Sequence, residues 1–262
     1  MDLNRTVSRA SPQGLCPSGH GARSVPMTVK PSALLLTEND ALMGGPPGLF
    51  EGLTRDERRT VLAHGAKRVI YKNEPLFKQG ARHDGIFFIE TGRIRVFYTA
   101  PSGREITLAY WSPGHFVGGP NIFEGGEHQW SGTAANNSSV VWLPGKALRR
   151  LIAEIPQLAI GLLDGLAFKG RCYSALAQML GTRSVSERLA HLLLHLARAY
   201  GQATPDGIRI EAFFTHADLA HMVGATRQWV TISLKRLHER GVLQCSKSGI
   251  VVRQPDKLMG LV

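Results

Sequence analysis

The chain has 262 residues, 43% of them apolar and 19% charged, which suits one large or two ordinary domains with real cores and excludes a wholly disordered protein. Thirty-one Lys and Arg stand against 20 Asp and Glu, and the formal net charge of +11 favours polyanionic partners, double-stranded DNA first among them. No apolar run reaches the roughly 18 residues of a membrane helix, because Asp164 and Lys169 interrupt the most apolar stretch, so no membrane partner is expected. Cys16, Cys172 and Cys245 form neither a disulfide framework nor a CxxC metal pair, which suits a reducing cytoplasm.

Residues 1–48 hold six of the 14 prolines and little apolar periodicity, and they read as a flexible N-terminal extension without the apolar core of a secretory signal. Residues 49–145 read as one domain of strands. Short runs rich in Val, Ile, Phe, Tyr and Trp (AKRVIY, GIFFIE, RIRVFYT, REITLAYW and SVVWL) are separated by glycines, the punctuation of a small antiparallel barrel or roll. In RIRVFYT the charged Arg93 and Arg95 alternate with Ile94 and Val96, which predicts one wet face and one buried face.

The period then changes, and residues 146–181 read as a long dimerisation helix. Pro156 suits a first helical turn, and Leu158, Leu162, Gly165, Lys169, Cys172, Leu176 and Met179 recur at steps of four and three. A second stripe of Leu163, Leu166, Gly170, Tyr173, Ala177 and Leu180 runs beside it. A helix apolar on two faces needs two surfaces to pack against, here its own roll and a partner helix, with Leu158, Leu162, Gly165, Cys172, Leu176 and Met179 taken as the dimer residues. Gly161, Gly165 and Gly170 each cost a helix about 1 kcal/mol against Ala, which close helix–helix approach would offset. Residues 181–186 are the expected hinge.

Residues 182–262 carry the sharpest pattern. In FTHADLAHMVGATRQWVTISLKRLHERG, Thr215 with Asp218 predicts a capped helix, Gly224 a tight turn, and Thr226 the cap of a second helix with Val230, Leu234 and Leu237 inside. GVLQCSKSGIVVRQP follows as two strands around Lys247, Ser248 and Gly249, giving a winged helix-turn-helix. In such a motif the first turn of the second helix meets the major groove. Arg227 suits a guanine and Gln228 an adenine, each by a bidentate pair. Thr215, Thr226, Thr231 and Lys235 suit phosphates, and Trp229 suits either a sugar or packing.

Taken together, these pieces resemble the bacterial Crp/Fnr regulators, relatives of the cyclic-AMP receptor protein and the fumarate-nitrate regulator. The carriers are YKNEPLFKQG with GIFFIETGRIRVF, then REITLAYWSPGHFVGG, the long helix, SERLAHLLLHLA and the winged helix-turn-helix, and they span residues 49 to 255. The resemblance implies an α+β chain: a β-roll of the cyclic-nucleotide-binding, jelly-roll type, a dimerisation helix, and a DNA-binding head that acts with RNA polymerase. It also implies a homodimer reading a palindromic operator, and no enzyme. HExxH, GxSxG and a Walker A loop are all absent from the sequence.

The same resemblance places nucleotide contacts at positions where this chain departs from the family. The ribose-binding Glu is Gly119, the phosphate-binding Arg-Ser pair is Gln129 and Trp130, and the base-contacting helix positions are Tyr173 and Ser174. A buried phosphate without a cation would be poorly paired, so cyclic AMP held in the usual way is not expected. Gly118, Gly119, Gln129, Trp130, Ser131, Tyr173 and Ser174 are the candidate effector residues, and the bulky Trp130 with Tyr173 suggests a pocket that is filled or that suits a flat, less charged small molecule. An effector-independent regulator and a haem-based gas sensor remain alternatives. No iron-sulfur cluster is expected, because only Cys16 lies in the N-terminal region, and His83, His115 and His128 are the haem candidates. Glu187, His191 and His195 are spaced at four on one helix, but no further ligand accompanies them, and no metal is expected. Gln228 and Ile232 replace a Glu and an Arg of the best-known heads, so a guanine contact is expected without the familiar half-site.

The charge divides as +1 over residues 1–45, +2 over 46–145, +5 over 146–200 and +3 over 201–262. Eight of the eleven units of net positive charge therefore lie after residue 145, on the helix and head, as a steering field for DNA requires.

Overall fold

The computed structural model describes residues 48–210, 214–246 and 249–261 together with Ala33–Leu34. Apart from that pair, which forms strand β1 (Ala33–Leu34) beside Tyr110 and Trp111, the expected tail lies outside the described residues, as does Cys16. Helix α1 (Arg55–Ala63) opens the ordered chain behind a capping box in which Thr54 and Glu57 satisfy each other's backbone N–H groups.

Ten strands build the roll: β2 (Ala66–Ile70), β3 (Pro75–Phe77), β4 (Arg82–His83), β5 (Gly85–Thr91), β6 (Ile94–Thr99), β7 (Glu105–Trp111), β8 (Phe116–Gly118), β9 (Gly126–Glu127), β10 (Ser131–Ala134) and β11 (Ser138–Pro144). They pair antiparallel as β1-β7-β6-β10-β3 and β2-β11-β5-β8, with β4-β9 as a separate ribbon. All five predicted runs are strands. The short β3, β4, β8, β9 and β10 carry too few residues for a period-2 signal. In β6, Ile94 and Val96 are buried in the roll, while the Arg95 side chain, expected on a wet face, is only 14% exposed and is covered by its pairing with Glu105.

Helix α2 (Gly145–Glu154) folds back on the roll, and α3 (Pro156–Thr182) follows with Pro156 in its first turn. Leu158, Leu162, Gly165, Phe168, Cys172, Leu176 and Met179 are buried on α3. The stripe read as the dimer seam is thus spent within the protomer: Phe168 and Cys172 join the roll core with Trp111 and Val117, and Leu158 and Leu162 join Leu148 and Phe116. The outward face carries the second stripe, with Leu163 61% and Leu166 39% exposed, and beside it Ile160, 48% exposed. The helix glycines answer to the roll as well. A side chain at Gly161 would strike the Leu49 carbonyl and one at Gly165 the Phe116 ring, while Gly170 faces open space.

At the expected hinge α3 stops. Arg183 is extended, and Ser184 caps α4 (Val185–Tyr200) in a second capping box with Glu187. Arg188 donates from Nη1 to the Leu180 carbonyl across the break at 3.1 Å. The head then adds β12 (Gly201–Thr204), β13 (Gly207–Ile210), α5 (His216–Val223), α6 (Arg227–Glu239), β14 (Leu243–Ser246), β15 (Gly249–Val252) and α7 (Pro255–Met259), its strands ordered β12-β13-β15-β14. β14 and β15 are the predicted wing, whose tip at Lys247 and Ser248 lies outside the described residues.

Candidate functional site

The head supplies a polar face. Thr215 caps α5 by accepting from Asp218 N at 3.1 Å, and its hydroxyl donates to the Asp218 carboxylate at 2.7 Å, so that side chain is committed to the helix start. Gly224 takes the left-handed conformation (φ 68°, ψ 41°) that turns α5 into α6, a region few other residues enter without strain. Thr226 caps α6 by accepting from Trp229 N at 3.1 Å. Val230, Leu234 and Leu237 are buried in the head core, and Trp229 packs partly buried against it.

Arg227, Gln228, Thr231, Ile232 and Lys235 are left on the exposed side of α6. The side chains of Arg227 and Gln228 make no hydrogen bond or ion pair among the described residues. The Thr231 hydroxyl donates to the Arg227 carbonyl and lies 2.9 Å from His216 Nδ1, and Lys235 stands 3.8 Å from Glu239, an exposed pair of little energetic weight. Ile232 is 43% exposed, an apolar side chain in a polar row.

The second site is a cavity of about 190 Å³ between the roll and α3. Gly118, Gly119, Trp130 and Tyr173 line it as read from the sequence. Gln129, Ser131 and Ser174 do not. Gln129 is exposed and bonds the Glu127 carbonyl, Ser131 accepts from Gln79 N in an outer groove, and Ser174 is exposed on α3. Sequence reasoning missed Val96, Trp111, Phe116, Val117, Leu166 and Lys169 in the lining. A signal for Lys169 was present, since it is the one cation within an otherwise apolar helix stripe.

The geometry explains why the usual nucleotide contacts are gone. A side chain at Gly119 would collide with the His83 ring, which occupies the space a Glu would need. Trp130 fills the phosphate side and donates from Nε1 to the Gly118 carbonyl at 3.0 Å, with its ring 6.1 Å from that of Tyr173. Lys169 lies with its Nζ 3.9 Å from the Trp111 ring centre and 4.3 Å from that of Phe116, and burial pulls its pKa down to about 7. Burial also raises the Tyr173 hydroxyl, and it raises Cys172 to about 11 against the opposing charge of Lys169.

The histidines read as haem candidates are side chains of the interior. His83, His115 and His128 are 8%, 4% and 3% exposed, and the His128 ring stacks on Phe77 at 4.2 Å and sits 4.8 Å from His83. Burial holds His115 near 4 with help from Lys169, and His128 near 4 with help from His83. A cavity of about 190 Å³ is small beside the roughly 300 to 1,000 Å³ of sites for drug-sized ligands, and a porphyrin does not fit it. On α4 the Glu187 carboxylate accepts from Ser184 N at 2.6 Å and pairs with Arg183 at 3.6 Å. Among the described residues no group of three His, Cys, Asp or Glu could hold a metal ion, and no helix is long and apolar enough to cross a membrane.

Comparisons with known proteins match both halves. A cyclic nucleotide-binding domain model covers residues 67–154, and a Crp-like helix-turn-helix domain model covers residues 187–261. The cyclic AMP receptor protein of Thermus thermophilus is 28% identical over 212 residues, 81% of this chain and 94% of its own. The global nitrogen regulator of Synechocystis sp. is 26% identical over 189 residues, 71% of this chain and 84% of its own. Among solved structures, the c-di-GMP responsive global regulator CLP of Xanthomonas campestris superposes with a TM-score of 0.69 at 19% identity, covering 76% of this chain and 99% of that one.

Proposed function

The chain belongs to the Crp/Fnr family of transcription regulators, and from that premise we propose that it acts as a homodimer that reads a palindromic operator and answers to a small molecule other than cyclic AMP held in the usual way. The observation that carries the DNA reading is the first turn of α6, where the side chains of Arg227 and Gln228 stand exposed and uncommitted among the described residues. Arg227 is assigned to guanine O6 and N7, Gln228 to an adjacent base, and the exposed Ile232 to a thymine methyl. Lys235 and the amide groups at the start of α6 are left for phosphates.

The dimer reading is supported by the outward stripe of α3, where Leu163 and Leu166 stay exposed beside Ile160. Effector control is supported by overlap: Leu166, Gly170 and Tyr173 line the cavity and belong to that stripe. A ligand in the cavity and a partner helix on α3 would therefore touch the same residues, a direct route to a two-state equilibrium. Cyclic AMP itself is disfavoured by the His83 ring against Gly119 and by Trp130 in place of phosphate donors.

Footprinting on genomic fragments tests the reading, with protection of one short palindrome expected and uniform coating counting against it. Arg227→Ala measured across operator variants should lose about 1 to 3 kcal/mol at one guanine position in each half-site and little elsewhere. Unchanged discrimination at every base would remove the assignment.

A further inference from the structure

The cavity between the roll and α3 has an electrostatic demand of its own. Lys169 is the charged residue in its lining, and it stands among the faces and edges of Trp111, Phe116, Trp130 and Tyr173. Its ammonium rests on two aromatic rings, and among the described residues no carboxylate or other acceptor accompanies it. Lys169 is partly buried, and ring faces compensate such a cation only in part, worth about 0.5 to 2 kcal/mol. Trp111, 0% exposed, spends its indole N–H on a loose contact with the Tyr173 hydroxyl. The cavity thus offers one lone cationic donor, Lys169, and wants an acceptor for it.

Size and polarity narrow the acceptor. An apolar cavity of about 150 Å³ admits a benzene, so about 190 Å³ has room for one ring with a short substituent. A phosphate ester needs several donors around its oxygens, and one ammonium falls short of that. A single carboxylate, with its charge matched by one Lys, does not. The remaining walls, Val96, Val117, Trp130 and Tyr173, offer apolar and aromatic surface for a flat ring.

We propose that this cavity binds a compact aromatic monocarboxylate, its ring lying against Trp130 and Tyr173 and its carboxylate accepting from Lys169. The proposal rests on the effector reading above and names the chemistry of that effector. Burial draws the Lys169 pKa down to about 7, and an anion seated beside it reverses that penalty by stabilising the ammonium.

Calorimetry on the full-length protein without DNA tests it, with benzoate and phenylacetate as probes, benzamide as the neutral isostere and cyclic AMP as the competitor class. The carboxylates should bind at least about tenfold tighter than benzamide, as a charge-assisted hydrogen bond in a buried site implies. Lys169→Met should bring that ratio to near one while leaving the circular dichroism spectrum unchanged. If the variant does not fold, the wild-type ratio of benzoate to benzamide decides alone. Equal affinities, no binding of either carboxylate, or tighter binding of cyclic AMP would overturn the proposal. Footprinting separates the two claims: a protected palindrome without carboxylate binding removes this inference alone, and carboxylate binding without a footprint removes the DNA-regulator reading alone.

Discussion

His83 decides what residue 119 can be. Its ring lies where any side chain at Gly119 would begin, and neither of its nitrogens finds a hydrogen-bond partner, so it is held by packing against neighbours such as His128. Burial lowers the His83 pKa against the opposing pull of Asp84, and the ring occupies that space. Restoring the family's acid by Gly119→Glu should therefore overpack the roll, costing about 1 to 3 kcal/mol, and should not create cyclic AMP binding. Adding His83→Ala should return the melting temperature toward the wild-type value. Thermal melts of the single and double variants with calorimetry against cyclic AMP check both parts, and a Gly119→Glu protein as stable as wild type would show that the His83 ring yields freely. The missing Glu, Arg and Ser were legible one residue at a time. The occupant of the vacated space was not, because His83 and Gly119 meet only once β4 and the loop after β8 are brought together.

On α3 the steps of three and four residues were legible, and so was the need for two packing surfaces. Which stripe faces the roll was not. Both are apolar, and the stripe that turned inward is the one carrying Lys169, which reaches a cavity walled by Trp111 and Phe116, where ring faces accept the ammonium. Adjacent residues now make opposite predictions. Leu162 is 3% exposed against the roll, so Leu162→Ala should destabilise the protomer by about 2 to 5 kcal/mol. Leu163 is 61% exposed on the outward stripe, so Leu163→Glu should leave the protomer melt nearly unchanged and shift sedimentation from dimer to monomer. A Leu163→Glu protein that sediments as a dimer would move the partner contact elsewhere.

The whole molecule is joined by a strand with two cores. Along β7, Ala109 and Trp111 point into the roll, while Tyr110 belongs to the core of the head, with Leu108 packed at its margin. Tyr110 meets Phe214 edge-on at 6.2 Å, Arg93 lies 5.5 Å from the Tyr200 ring centre, and Arg95 holds Glu105 at 2.8 Å with His221 of α5 3.7 Å away. The sequence carried a trace of this in the unbroken apolar run Leu108–Trp111, since a strand wet on one face would alternate. Its second partner could not be named, because α5 lies more than a hundred residues downstream. Head and roll should then melt together, and Tyr110 should be what couples them. Tyr110→Ala removes a large buried side chain, about 3 to 5 kcal/mol by analogy with other aromatic truncations. Differential scanning calorimetry should show one transition in the wild type and two in the variant, the calorimetric enthalpy then exceeding the van't Hoff value. One transition in both proteins, merely shifted, would mean that the coupling runs through α3 and α4 instead, with Arg188 on the Leu180 carbonyl as its next test.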